Sequence, residues 1–269
     1  MNDQITIVTI IQARMGSTRL PRKVMMPLAG KPLLLRQYER VSAAKLIDKI
    51  IIAITTDEID NIIVDLCRDN NISYYRGNST DLLDRHYKTA LTYSADAVVK
   101  IPSDCPLIDP DVIDKVLKYY IDNYNNFDFV SNLHPASYPD GNDVELMTMK
   151  ALTDAWHNAK NKLEREHTTP YFWENPEKFR IGNVLWEIGK DYSMSHRFTI
   201  DYPEDYEFVK RIYDELFSDE NIFSLDDILG LLEKNPEIKN INSKYAGVNW
   251  YRHYLAELKT ISKSDTKLI

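Results

Sequence analysis

Four cations fall within the ten residues from Arg14 to Lys23: Arg14, Arg19, Arg22 and Lys23, in the stretch "IIQARMGSTRLPRK" (10–23). The stretch follows directly on an apolar, β-branched run, "ITIVTII" (5–11). Such a loop offers an anion two kinds of ligand. Arg14 and Arg19 carry planar forks that match phosphate oxygens, and Lys23 carries a mobile point charge. Gly16, Ser17 and Thr18 are small, and a Gly16 with positive φ would let backbone N–H groups approach the anion. The loop is neither G-x-x-x-x-G-K-[ST] nor G-x-G-x-x-G, which removes support for an ATPase or a dinucleotide-binding protein. On spacing alone a solvated basic loop accounts for these residues equally well. A second feature shifts the balance: "KIPSDCPLIDP" and "RFTIDYPED" place Asp104 and Asp201 at the ends of strand-like runs. Magnesium favours hard oxygen ligands, one or two carboxylates together with the substrate's phosphates. Taken singly, each Asp also suits a helix N-cap, because Pro and a helical pattern follow it.

The whole chain is acidic, with a formal net charge of -8 over 269 residues and a pI near 5.3. Phosphate backbones and anionic membranes attract broadly basic faces, so neither a nucleic-acid nor a membrane partner is expected. The basic loop is a local feature suited to a small anionic ligand. Cys67 and Cys105 are the two cysteines, without metal-ligand spacing, and they fit a reducing compartment. The first residues lack a basic, then apolar, leader pattern, and no apolar run is long enough to span a bilayer. A cytoplasmic location is expected.

Strand-like runs alternate with helical patterns and must position the loop and the carboxylates. Residues 5–11, 49–55, 72–75, 96–101 and 127–132 read as buried strands. Residues 32–45, 58–70, 80–94 and 110–124 show apolar spacing near the helical repeat. This alternation predicts an α/β fold with a mainly parallel sheet covered on both faces, its ligand at the carboxyl ends of the strands. Further on, 143–149 and 196–200 read as strands, and 151–161, 203–217 and 224–235 as helices, with 164–175 leading into another. A single domain (1–269) is expected, with a middle insertion at about 133–195 and a ragged C-terminal tail. Trp156, Tyr171, Phe172, Trp173 and Trp186 crowd that insertion, a composition suited to a subunit interface as well as to a core.

Six motifs then occur in order: "QARMGSTRLPRKVMMPLAGKPLL", "YRGNSTDLLDRHYKTA", "SDCPLIDP", "YPDGNDVELMTMKAL", "EREHTTPYF" and "RFTIDYPEDYEFV". Over roughly residues 5–245 the chain resembles the CMP-sugar synthetase-like cytidylyltransferases, which include CMP-Kdo synthetases, and within them the SpsF-like branch of spore-coat polysaccharide biosynthesis. The resemblance implies a Rossmann-like nucleotidyltransferase fold with a dimerisation insertion, hence a homodimer. It also implies the reaction: CTP and a sugar, sugar acid or sugar-like acceptor give an activated cytidine nucleotide and pyrophosphate. Carried over by position, Arg14, Ser17 and Lys23 match the triphosphate loop, with Gly16 between them. Gln12 and Ala13 lie where the backbone would meet the cytosine, and Arg76, Gly77, Asp81 and Arg85 in the segment lining the nucleoside pocket. Asp104 and Asp201 match the Mg²⁺ carboxylates. Glu164, Arg165, Glu166 and His167 fall in the segment facing the acceptor or the partner subunit. The chain departs from the family at Arg22, where Gly is usual, and at Pro102 and Ser103, where "KIPSD" replaces a pattern closer to "RITGD".

Each acceptor residue also has an ordinary reading. His167 could act as a base or bind the acceptor, though a lone His among Glu and Arg is more often a structural ion-pair partner. Glu164 and Glu166 could complement a helix dipole. Asp143 and Glu145, on one side of a strand, could bind acceptor hydroxyls or simply face solvent. Two other functions compete: a metal-dependent glycosyltransferase, against which the absence of a strand-ending D-x-D pair counts, and a non-catalytic nucleotide-binding protein.

Overall fold

The computed structural model describes residues 5–187 and 189–269. The chain opens with β1 (Ile7–Ala13), in which every residue except Gln12 is buried. A small hairpin, β2 (Pro27–Leu28) and β3 (Lys31–Pro32), leads into α1 (Leu33–Ser42) and β4 (Lys49–Thr55). Then come α2 (Asn61–Asp69), β5 (Tyr74–Gly77), α3 (Leu82–Thr92), β6 (Ala97–Pro102) and α4 (Pro110–Asp122). The second half holds β7 (Phe129–Ser131), β8 (Glu145–Thr148), α5 (Met149–Asn158), α6 (Lys162–His167), α7 (Pro170–Trp173) and β9 (Ile181–Asn183). It ends with α8 (Pro203–Leu216), α9 (Leu225–Lys234) and α10 (Pro236–Asn240).

The order across the seven-stranded sheet is β5-β4-β1-β6-β8-β7-β9. β1 pairs in parallel with β4 and β6, and β4 with β5, whereas β8 runs antiparallel to both its neighbours. A strand covered on both faces needs apolar residues at nearly every position, and β1 shows why. Ile7 and Ile11 join a core with Leu33 of α1, Val116 of α4 and Phe208 of α8. Val8 and Ile10 point to the opposite core, with Leu83 of α3, Leu152 of α5 and Phe172 of α7. The central position of β1 brings its carboxyl end, and the basic loop, beside the end of β6.

Three expectations change. Residues 196–200 form no ladder beyond a single bridge between Asp140 and Arg197, and the backbone bends at Thr199. Instead the Phe198 N–H donates to the Asp140 carbonyl (2.7 Å) and the Ile200 N–H to the Asp104 carbonyl (2.8 Å), so this segment is tied to loops. The segment 133–195 contributes two strands, β8 and β9, to the central sheet, and the latter had no clear strand pattern. The C-terminal segment is not ragged: Val248, Tyr251 and Leu258 are buried. The Glu174 carboxylate anchors it by accepting the N–H groups of Lys259 (2.5 Å) and Thr260 (2.8 Å). Its aromatic residues, rather than periodicity, carry that packing.

Gly16 lies outside the left-handed region. Arg22 adopts it instead, with φ 63°, and its N–H closes the loop on the Met15 carbonyl at 3.0 Å. An L residue in that conformation costs about 1–2 kcal/mol, against about 0.5–1 kcal/mol for the entropy of a glycine. Arg22→Gly is therefore expected to stabilise the protein by about 0.5–1 kcal/mol, seen as a melting temperature higher by roughly 2 °C. A lower melting temperature would show that the Arg22 side chain contributes more than its backbone costs.

Candidate active site

The loop after β1 is fixed from beneath. The buried Met15 donates its N–H to Asp60 Oδ1 (2.7 Å), and its carbonyl accepts the N–H groups of Ser17 and Arg22, both at 3.0 Å. This clamp leaves Arg14 and Arg19 exposed and turns Lys23 inward, to 8% exposure, at the start of a short 3₁₀ turn. Lys23 Nζ lies 2.8 Å from Asp104 Oδ2 and 3.2 Å from Asp201 Oδ1, and it also donates to the Ile200 carbonyl. Burial works to lower its pKa, but the attraction of Asp104 and Asp201 outweighs it and raises the pKa, so the ammonium stays charged. Asp201 additionally meets Arg19 Nη2 at 2.5 Å and Arg197 Nη2 at 2.9 Å. Burial alone would raise its pKa. Lys23, Arg19 and Arg197 overcome that and hold the carboxyl well below the usual carboxylate range.

The capping alternative for both aspartates fails. Asp109 caps α4 by accepting the Asp111 N–H at 2.7 Å. At the start of α8 the Asp205 carboxylate accepts the N–H groups of Asp201 (2.9 Å) and Tyr202 (3.0 Å). The turn carrying Asp104 is held by buried Gln37, whose Nε2 donates to the Pro102 carbonyl (2.6 Å) while its Oε1 accepts the Cys105 N–H (3.1 Å). Asp104 and Asp201 are thus free to use their carboxylates, and both aim at one point, now held by the Lys23 ammonium. Two hard oxygen donors converging on one cationic centre fit a Mg²⁺ ion that completes its shell with phosphate oxygens and water. Among the described residues no third carboxylate, His or Cys joins them as a ready ligand cluster.

These groups line a cleft of about 1500 Å³, enough for two substrates side by side. Several buried polar atoms along it lack a partner within the protein: Gln12 Oε1, Arg85 Nε and Arg165 Nη1 near the β1 loop and α3, and Tyr138 Oη and Trp173 Nε1 further along. Buried polar atoms are costly unless satisfied, so a polar ligand would complete this surface. Arg85 is 4% exposed, and burial first, then the nearby Arg14, lower its pKa to about 10. Two neighbouring cations lining one cleft are prepared for an anion.

Ala13, Ser17 and Asp81 also line the cleft, but Gly16, Arg76 and Gly77 do not. Arg76 is spent on the carbonyls of Thr55 and Asp57, both at 3.1 Å. Gly77 acts through Arg85: a Cβ there would stand 2.8 Å from the Tyr75 ring and 3.0 Å from Arg85 Cγ.

Glu164 is turned away from the cleft, and its carboxylate accepts the Asn161 N–H (3.2 Å) at the start of α6. Arg165 reaches Asp81 at 3.5 Å and, like Glu166 and His167, faces the cleft. His167 stacks on Trp250 with centroids 4.0 Å apart and planes 8° apart. Burial, then Lys100 and Arg14, push its pKa down to about 3, so at neutral pH it is an uncharged and weak base. Glu145 pairs with Lys100, its cross-strand partner between β8 and β6. Asp143 has no cation within ion-pair distance among the described residues and accepts only the Gly141 N–H, at 3.1 Å. Burial, with Glu145 and Asp104 adding and the Gly141 N–H and Lys100 opposing, raises its pKa to about 6.

Asp60, Gln37, Arg197 and Trp250 were not singled out from the sequence. They act through long-range contacts and carry no local pattern, although Arg197, four residues before Asp201, stands within one of the quoted motifs.

A family model described as Cytidylyltransferase matches residues 8–229. An uncharacterised protein of Methanocaldococcus jannaschii, MJ1063, is 40% identical over 241 residues, covering 88% of this chain and 94% of the relative. The spore coat polysaccharide biosynthesis protein SpsF of Bacillus subtilis is 30% identical over 242 residues, covering 88% of this chain and 97% of its own. A solved structure of a cytidylyltransferase from Leptospira borgpetersenii superposes with a TM-score of 0.83 at 34% identity, over 88% of this chain and 98% of that one. The sheet and its covering helices are accordingly a Rossmann-like nucleotidyltransferase fold. With a match running from β1 into α9, and so across the basic loop, Asp104 and Asp201, the chain belongs to the cytidylyltransferase family.

Proposed function

We propose that the protein transfers CMP from CTP to a hydroxyl of a sugar, sugar acid or sugar-like acceptor, releasing pyrophosphate, in the assembly of a surface polysaccharide or related glycan. The convergence of the basic β1 loop, Asp104 and Asp201 at one point of a two-substrate cleft carries this reading. The spore-coat polysaccharide role of the SpsF relative supports the glycan context. The acceptor oxygen attacks the α-phosphorus, and the bond to the bridging oxygen of pyrophosphate breaks. Such transfer depends chiefly on positioning and on neutralising charge. Arg14, Ser17 and Lys23 hold the phosphates, Gln12 and Ala13 meet the base, and Arg85 adds a buried cation. Asp104 and Asp201 would hold Mg²⁺, which when bound neutralises phosphate charge. Asp143, without a cationic partner among the described residues, accepts the hydrogen bond and then the proton of the attacking hydroxyl. His167 and Trp250 form an uncharged aromatic wall.

Pyrophosphate release from CTP, assayed with a panel of neutral sugars, sugar acids and small phosphorylated acids, tests the reading. Release that needs both CTP and an acceptor supports it. Acceptor-dependent release of a nucleoside diphosphate from a nucleotide sugar would instead establish a glycosyltransferase.

A homodimer in the cytoplasm belongs to the same proposal. Its support is the family resemblance and not the aromatic residues of the middle segment. Trp156 stacks on Tyr87 and donates to Asp84 (2.8 Å), Trp186 stacks on Tyr138, and Tyr171, Phe172 and Trp173 are buried in the protomer's own core. Light scattering at high micromolar concentration is expected to give twice the protomer mass, and a monomer there would refute the dimer. Both thiols are buried and unpaired, which suits a reducing compartment. Among the described residues no helix is long and apolar enough to cross a membrane.

A further inference from the structure

The point on which Asp104 and Asp201 converge is filled from within the chain. The Lys23 ammonium stands 2.8 Å and 3.2 Å from the two carboxylates, and its third donor goes to the Ile200 carbonyl. Arg19 shares the Asp201 oxygen that Lys23 holds, at 2.5 Å, and Arg197 takes the other at 2.9 Å. In the free protein the two carboxylates therefore meet three cations, and their charge is already compensated. A divalent ion entering this arrangement would lose carboxylate oxygens to the ammonium and stand beside a like charge. Lys23 and Arg19 both line the cleft. Lys23 carries its charge on a flexible four-carbon stem, able to turn from the carboxylates to an arriving phosphate.

We infer that Lys23 is a resident counter-ion of the carboxylate pair, so that the divalent cation binds productively with the nucleotide and not before it. The triphosphate draws Lys23 and Arg19 away and supplies oxygens of its own. Only then do Asp104 and Asp201 present bare carboxylates to the ion. The ligand that shifts the equilibrium is the one with different affinity for the two positions of Lys23, and the triphosphate has that difference because it is anionic. This rests on the reading of Asp104 and Asp201 as the divalent-cation ligands.

Mn²⁺ alone serves as the probe, its free signal followed by electron paramagnetic resonance with nucleotide-free protein. The wild-type protein is expected to bind it weakly. Lys23→Met is expected to bind at least tenfold more tightly, roughly the change for removing one close like charge and one competitor for the carboxylates. Lys23→Gln, which keeps a donor for the Ile200 carbonyl, serves as the second variant should Lys23→Met fold poorly. Equal, tight Mn²⁺ binding by the wild-type protein and both variants would overturn the counter-ion role while leaving the metal reading intact. No binding by either folded variant, together with CTP binding that Mn²⁺ does not tighten in the wild type, would overturn both.

Discussion

Replacing Arg197 by Met is expected to cost the fold about 3–5 kcal/mol, the range for stranding the partners of a buried ion pair. The Arg197 side chain is 2% exposed and meets Asp140 at 3.0 Å, Asp201 at 2.9 Å and Asp205 at 3.0 Å. It also donates to the Val248 carbonyl at 2.8 Å, and its own carbonyl accepts Asn242 Nδ2 at 2.9 Å. Burial works to lower the pKa of the guanidinium, but its carboxylate partners outweigh burial and raise it. A methionine of similar length fills the space and leaves fully buried Asp205 without its cation. The effect reaches three parts of the chain at once: the 139–143 loop, the start of α8 and the C-terminal segment. Arg197→Lys keeps a charge but cannot serve three carboxylates with one planar fork, so it is expected to recover only part of the loss. Chemical denaturation measures both variants. A loss below about 1 kcal/mol for Arg197→Met would mean that water compensates the three aspartates and that this junction is not rigid.

The early strands were legible because they are covered on both faces. Continuous apolar runs such as "KIIIAIT" (49–55) permit few other readings, and the strand β4 occupies that same span. Residues 196–200 show where such reading stops. Phe198 and Ile200 are fully buried while Arg197 and Thr199 are nearly so, an alternation that looks like a strand, yet the partners are loop carbonyls at Asp104 and Asp140. Nothing in five residues can tell a ladder from two isolated loop bonds. The ligand loop was located by charge, but not the residue at which its backbone turns. Glycine at 16 suggested a left-handed turn, whereas the closure on the Met15 carbonyl places that turn at Arg22, the position where the family usually has Gly. Glu164 followed a similar course. A carboxylate three residues after Asn161 is a capping pattern in its own right, and the cap takes it away from the acceptor. The C-terminal wall, with Trp250 against His167, was beyond sequence reasoning because its contacts are all distant in the chain.

Asp104→Asn is expected to lower turnover by about two to three orders of magnitude, comparable to removing a preorganised charge from a site of phosphate chemistry. Asparagine keeps the shape and most hydrogen bonding but not the charge that a hard cation needs. The change also isolates chemistry from folding better at Asp104 than at Asp201. Asp104 has one cationic partner, Lys23, and its side chain is 25% exposed, so water can compensate much of the lost pair. Asp201 is held by Lys23, Arg19 and Arg197 together, and Asp201→Asn should lower both the rate and the melting temperature. Capping no longer competes as an explanation at either position, since Asp109 and Asp205 do that work. The remaining rival is a purely structural ion pair between Lys23 and the two carboxylates. That rival expects the activity of Asp104→Asn to follow its small loss of stability and to be indifferent to magnesium. A ligand role expects a near-native melting temperature, a collapsed rate and partial recovery at high Mg²⁺, because a weakened site still fills by mass action. Wild-type turnover by Asp104→Asn at limiting Mg²⁺ would exclude the carboxylate from the metal and leave Lys23 as its only business.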